Sequence, residues 1–398
     1  MKSRIFTFQS LALTAAIAVI ATGCHDDNGK NQPQPVSGLR TVLVYQVANN
    51  NLGSSRYDLA DIVEMIDGAK KGDIPENSHL LVYNAGYNSD PTLVEVTSAG
   101  LDTLKTYSRA VSSVRSERML EVLDDAETFA DTEEFGLVLW SHGSGWLQDG
   151  IEDSAVVDTK SFGSDNGNTM NITTLAKVLE QGPELSFLYF DCCYMASVET
   201  LYELRNTSPV IVGSATELRT DGMPYHENLS AFFSPVPDMV KAATNTFELY
   251  DQCSGIDRTC TMSVIRTAAL DSLAQATKAI YASANGNMPA SYTPQRFMNR
   301  GISNCMYFDF AQYVEALCTN TDGSERFTGA AGMLADFNEA MSHCVIYAAA
   351  TPMLWNTVPL DYHCGLSTYI LANPNYSRNV KYYTLSWYSD VVSSLNFK

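Results

Sequence analysis

Short apolar runs alternate with helix-spaced apolar positions through the first half of the chain. Thr41-Val42-Leu43-Val44-Tyr45 is a continuous run between Arg40 and Gln46. Such a run predicts a strand buried on both faces. Leu59, Ile62, Val63 and Ile66 then follow at helical spacing. His79-Leu80-Leu81-Val82-Tyr83 reads as strand and Met119 to Ala130 as helix. Two further strand-like runs, Phe135 to Trp140 and Leu185 to Phe190, enclose a helical stretch from Ile172 to Leu179. A helix from Val198 to Arg205 and a strand from Pro209 to Gly213 complete the alternation. This order predicts an α/β fold over residues 39–235, a mostly parallel sheet flanked by helices. Residues 236–398 read as a mixed α/β C-terminal region that completes the fold. It holds a helix (Met239 to Tyr250), a strand (Thr261 to Ile265) and a long helix (Leu270 to Ala284). No fixed-period repeat, GxGxxG, Walker A or CxxC pattern is present.

The two runs in the middle of this pattern end in reactive residues. Ser141-His142-Gly143-Ser144-Gly145-Trp146 follows the first, and Asp191-Cys192-Cys193-Tyr194-Met195-Ala196 follows the second. The carboxyl ends of parallel strands are where open α/β sheets build their sites. A thiolate beside an imidazole is a ready nucleophile for an acyl group. For Cys193 the structural alternative is a buried core thiol, and for His142 a satisfied structural histidine. The glycines beside His142 argue against the latter, since they let the backbone approach a ligand closely. No Asp or Asn third member is evident. Among the other histidines only His226 is a plausible rival base.

The chain start changes the expected location. Lys2 and Arg4 precede an apolar stretch from Leu11 to Ala21, then Thr22-Gly23-Cys24. Residues 1–23 thus read as a signal peptide, too short to be a membrane span. The pattern resembles a bacterial lipobox, although Ala21 stands where leucine is usual. Cys24 would carry the lipid, and residues 24–38 would form a polar tether. Asp26 and Asp27 resemble the acidic surface-export signals of some Gram-negative lipoproteins. The expected place is the outer membrane, surface-exposed; plain secretion is the alternative. The 398-residue chain has a net charge of −20. Residues 1–23 hold two basic and no acidic residues, so their removal takes −20 to −22. So acidic a chain argues against nucleic-acid binding, which needs clustered cations.

In this order and spacing, the motifs resemble the clostripain family of cysteine peptidases, relatives of caspases and gingipains. The 51 positions between His142 and Cys193 are close to the caspase separation. Thr41 to Tyr45 with Asn49-Asn50-Asn51-Leu52 is similar to the family's first strand and Asn-rich turn. Lys160-Ser161-Phe162-Gly163 resembles the segment after the histidine motif. Asp191 to Glu199 resembles the Asp-Ala-Cys-x-Met-Ala nucleophile motif. Gly213 to Glu217 with Asp221-Gly222-Met223-Pro224-Tyr225 resembles the specificity segment. Phe308-Asp309-Phe310 and Gly365 to Tyr369 are similar to C-terminal signatures. Cys192 departs from the family, which usually has Ala there.

The resemblance implies a caspase-like fold and a thiol endopeptidase cutting after Arg or Lys. Motif register makes Cys193 the nucleophile and Cys192 a core residue. His142 would be the base, with the backbone N–H groups of Gly143 and Cys193 as oxyanion donors. Asp191 and Asp221 would bind the substrate cation as an otherwise unpartnered pair. Their structural alternatives are a helix cap for Asp191 and a turn residue for Asp221. Lys160 would be a self-processing site. No cofactor is implied, except that some members depend on calcium. Asp149, Glu152, Asp153 and Asp158 could supply its ligands, or form a solvated acidic loop without the EF-hand pattern. The contrasting class is a non-catalytic surface lipoprotein of this fold that binds peptides or glycans. Cys253, Cys260, Cys305, Cys318, Cys344 and Cys364 cluster C-terminally. In an exported protein they can form disulfides, with Cys253–Cys260 the first candidate pair.

Overall fold

The run around Leu43 forms the middle of strand β1 (Arg40–Val47), in which every residue is buried. In this computed structural model the described residues are 39–147, 161–284, 292–297, 306–371 and 379–395. The leader, the tether with Cys24, Lys160, Cys305 and the acidic group Asp149, Glu152, Asp153 and Asp158 lie outside them. The further strands of the main sheet are β2 (His79–Ala85), β3 (Thr92–Thr97), β4 (Gly100–Thr106), β5 (Glu134–Trp140), β6 (Leu185–Asp191), β7 (Val210–Gly213), β8 (Thr261–Arg266) and β9 (Val345–Ala350). Their order across the sheet is β9-β8-β7-β6-β5-β1-β2-β3-β4.

The central block β2-β1-β5-β6-β7 is parallel. Alternation of side chains divides β1 between two cores. Leu43, Tyr45 and Val47 face one, and Val42 and Val44 the other. The first core takes helices α2 (Ser116–Phe129), α3 (Ile172–Leu179), α4 (Val198–Glu203), α7 (Leu270–Ser283), α8 (Phe310–Cys318) and α9 (Ala330–Cys344). The second takes α1 (Tyr57–Lys71), α5 (Tyr225–Phe232) and α6 (Met239–Asp251). In α1 the buried apolar side chains are Ile62, Met65 and Ala69, whereas Leu59 and Val63 are exposed. The apolar stripe is therefore rotated from the one that the spacing suggested.

Both edges of the sheet depart from the parallel expectation. β3 and β4 add as antiparallel strands beyond β2, and β8 and β9 as antiparallel strands beyond β7. The links β2–β3 and β3–β4 are too short for a crossover, so only hairpins can form. β4 is mostly exposed, which leaves it without the apolar run that marks a buried strand. Among the described residues the cysteines are free thiols, Cys253 and Cys260 included. The Cys253–Cys260 disulfide expectation is thus not met. Cys260 is wholly buried in β8's approach, while Cys253 bonds the Leu249 carbonyl at 3.4 Å.

The C-terminal residues are fastened to α4 through Glu199, which is wholly buried. Its Oε1 accepts from Thr368 Oγ1 (2.8 Å), Tyr369 N–H (2.7 Å) and Tyr382 OH (3.4 Å). Its Oε2 has no hydrogen-bond partner. Burial pushes its pKa up to about 7, against the pull of the Tyr369 N–H. A carboxyl raised in the fold contributes stability that is complete below its unfolded pKa and lost as pH rises through its folded one. Glu199→Gln removes this titration. In urea denaturation from pH 4.5 to 8, wild type is expected to lose stability relative to the variant up to about pH 7, then hold a constant difference. A difference independent of pH would refute the titration.

Candidate active site

Parallel pairing brings the two reactive segments side by side. Trp140, the last residue of β5, pairs with Asp191, the last of β6. His142 and Cys193 each lie two residues beyond. The register depends on Gly136, where a Cβ would lie 2.3 Å from the Phe187 ring. The β5–β6 pairing shifts between Phe135 and Gly136. At Gly143 a Cβ would lie 2.7 Å from the Cys193 carbonyl oxygen and 2.9 Å from Cys192 Cβ. Only glycine lets the histidine and cysteine segments approach so closely.

The histidine segment is also tied to the end of β1. Ser141 Oγ donates to the Val47 carbonyl (2.7 Å). Asn50 Nδ2 reaches the carbonyls of Val47 (2.9 Å) and Ser164 (2.7 Å), while its Oδ1 caps the Leu52 N–H (2.8 Å). The next residue, Asn51, places its Oδ1 2.6 Å from His142 Nε2. An amide oxygen only accepts, so Nε2 carries the proton and Nδ1 is the basic nitrogen. No Asp or Asn third member is evident from spacing alone, yet the fold sets Asn51 beside the ring. Its signal was the Asn-rich turn, which is 91 positions from His142 and carries no spacing cue of its own. His226 stands apart on α5, its Nδ1 3.2 Å from Glu64.

Cys192 and Cys193 differ sharply. Cys192 is 2% exposed, and its Sγ donates to the Leu139 carbonyl at 3.1 Å. Burial pushes its pKa far up. Cys193 sits just before Tyr194, whose φ of 60° is rare for a bulky residue. Its Sγ lies 3.4 Å from the Leu218 N–H and 3.7 Å from the Leu218 carbonyl. Burial pushes the Cys193 thiol up to about 12, eased by the Leu218 backbone and reinforced by the Glu217 charge. In this resting arrangement Cys193 is a protonated thiol.

The two candidate substrate acids lie on either side of Gly222. Asp191 is buried below it, its Oδ2 accepting from Met223 N–H (3.2 Å) and Tyr225 OH (3.3 Å). Burial raises its pKa to about 6 against these two bonds. Asp61 on α1 is pushed to about 9 by burial and by the Asp191 charge, with a Trp140 indole bond at 2.6 Å opposing. Both carboxyls are therefore held above the ordinary carboxylate range, chiefly by burial. Asp221 is exposed in the turn closed by Gly222 N–H to Arg219 O, and it faces Arg219 at 3.3 Å. Arg219 also pairs with Asp257 at 2.6 Å. Both acids have partners, so the expected unpartnered pair is not what the chain forms. The cap of α4 is Ser197, not Asp191. Among the described residues no group of His, Cys, Asp and Glu is arranged to hold a metal, and no helix is long and apolar enough to cross a membrane.

A family model described as the clostripain family matches residues 44–394. The chain belongs to the clostripain family. Two solved structures are similar over nearly their whole length. One is an inactive zymogen C11 protease from Parabacteroides distasonis, 27% identical, covering 89% of this chain and 98% of that one, with a TM-score of 0.75. The other is a secreted C11 cysteine protease from Bacteroides thetaiotaomicron in complex with an irreversible peptide inhibitor, 29% identical, with the same coverages and a TM-score of 0.71. No curated protein matches the chain. This clostripain-family chain is a cysteine peptidase of caspase-like fold, which sets aside the non-catalytic reading.

The contrast between the two adjacent thiols is directly measurable. In the folded peptidase, iodoacetamide is expected to alkylate Cys193 well before Cys192, at a rate still rising above pH 9. Peptide mapping reads the site; Cys192 reacting first would reverse the geometry.

Proposed function

We propose that this peptidase is an endopeptidase that cleaves after Arg or Lys through a Cys193 thioester, with His142 as its acid and base. The observation that carries this is the His142 ring, oriented by Asn51 on the strand end beside Cys193. Nδ1 takes the thiol proton as Sγ attacks the carbonyl carbon, whose π electrons move onto oxygen. The backbone N–H groups of Gly143 and Cys193 receive that oxyanion. The C–N bond then breaks and His142 gives its proton to the leaving amine. Water, deprotonated by His142, attacks the thioester, and the departing thiolate regains the proton. A thiol held up to about 12 needs such a base at neutral pH.

Cys193→Ala is expected to abolish turnover and Cys192→Ala to retain most of it. Asn51→Ala should lower kcat by roughly 10-fold or more with little change in KM, because the ring loses its orientation. Asn51→Asp should move the acid limb of the pH profile upward, since a carboxylate stabilises the imidazolium. Turnover retained by Cys193→Ala and lost from Cys192→Ala would exchange the two assignments.

Asp191 and Asp221 support a basic residue before the cleaved bond. Asp191 is close to the nucleophile by sequence, and Asp221 already holds a guanidinium, that of Arg219. A substrate cation would share or replace that contact. Asp221→Ala should cost Arg substrates about fivefold in kcat/KM, an exposed ion pair's upper range near ~1 kcal/mol, and neutral ones little. Equal cleavage after neutral and basic residues by wild type would remove this specificity.

The N-terminal motif supports export with a lipid on Cys24 at the outer membrane, and the solved B. thetaiotaomicron relative is described as secreted. Lys160 is the processing candidate, the only basic residue between His142 and Lys177. Intact mass of active protein isolated from cells reads both modifications. A lipid-free mature chain would exclude the anchor, and an active uncut chain the need for processing.

A further inference from the structure

Between the nucleophile and the Arg219–Asp221 turn lies an acidic group that the reaction above does not use. Residues 214–218 run alongside the cysteine segment. Tyr194 N–H bonds Thr216 O and Ala196 N–H bonds Ser214 O, each at 2.9 Å, and Leu218 N–H points at Cys193 Sγ. Glu217 is thus flanked by the two residues that hold Tyr194 and Cys193. The Tyr194 and Trp355 side chains, both neutral donors, oppose the rise that burial imposes on its carboxyl.

The two donors are costly to place. Tyr194 has φ 60° and Trp355 φ 49°, a left-handed backbone that is strained for bulky residues. Trp355 lies in the turn joining Met353–Leu354 to Val358–Pro359, and its N–H bonds Thr259 Oγ1 at 3.2 Å. The Tyr194 ring stacks on Tyr307 at 4.7 Å, and Tyr307 in turn donates to the Ser144 carbonyl. The cysteine segment, the histidine segment and the C-terminal hairpin therefore converge on one carboxylate.

Both donors to Glu217 are neutral. Among the described residues Glu217 forms no ion pair, while the nearby Arg219 is engaged by Asp221 and Asp257. The carboxylate is partly buried, and its charge also weighs against ionisation of the Cys193 thiol. A carboxylate with only neutral donors beside it is the chemistry that receives an ammonium or guanidinium through an ion pair.

We infer that Glu217, with Tyr194 and Trp355, forms a second cation subsite that reads a Lys or Arg side chain flanking the residue at which the substrate is cut. It rests on the peptidase reading above. Its occupant also neutralises the charge beside Cys193, so the matching substrate favours the nucleophilic thiolate. Asp191 and Asp221 take the residue before the cleaved bond, and Glu217 a neighbour of it.

The test uses full-length protein and peptidyl acyloxymethyl ketones with Lys at the reacting position. The two preceding positions carry Lys, norleucine or Glu in turn. The rate constant for labelling Cys193 is measured, and the ratio between probes is the readout. Wild type is expected to label about tenfold faster with Lys than with norleucine at one of these positions. Glu217→Gln should bring that ratio to about one, and Glu217→Lys should favour the Glu probe. A ratio unchanged in Glu217→Gln, or near one in wild type, overturns the subsite while leaving the peptidase reading intact. If iodoacetamide modifies Cys193 but no peptidyl probe does, the peptidase reading fails and the subsite with it.

Discussion

The pairing of β5 with β6 is the constraint on which the rest of the molecule depends. These two strands run parallel, so the loops that follow them leave at the same end of the sheet. Their register then decides which loop residues meet. Here it is set where the Phe187 ring occupies the space over Gly136. A shift of one residue would turn each side chain to the other face of the sheet. The histidine and cysteine would then no longer leave their strands side by side. The remaining ties act on that frame: Ser141 and Asn50 bind the loops to β1, and Asn51 orients the ring.

The electrostatics around this frame are mostly anionic and mostly settled by burial. Asp61, Asp191, Glu199 and both cysteines of the motif are all raised, with desolvation the largest cause in each. Carboxylates gathered near one another cannot all ionise cheaply, and the Asp191 charge adds to the rise at Asp61. The thiol feels the same field. In such a field each positive charge that entered would relieve repulsion already present.

The C-terminal residues are part of the same construction. β8 and β9 extend the sheet, Thr368 and Tyr369 bind Glu199 beneath the cysteine motif, and Tyr307 and Trp355 reach the site itself. Nothing in their local sequence announces this. Short strands of two residues and single aromatic side chains leave no periodic pattern to read.

What the sequence determined alone is the buried core and its reactive ends. Runs such as Thr41 to Tyr45 and Phe135 to Trp140 have few ways to hide their apolar surface. Parallel strands with His142 and Cys193 at their ends followed directly, as did the motif order that marks the family. Only the tertiary structure decided the antiparallel edges, the Asn51–His142 bond, the Leu218 backbone at the thiol and the partners of Asp191, Asp221 and Glu217. The physical reason is the range of the interactions. Burial of a run is dictated by neighbours in sequence, whereas a hydrogen bond spanning 91 positions exists only once the sheet has brought its two ends together.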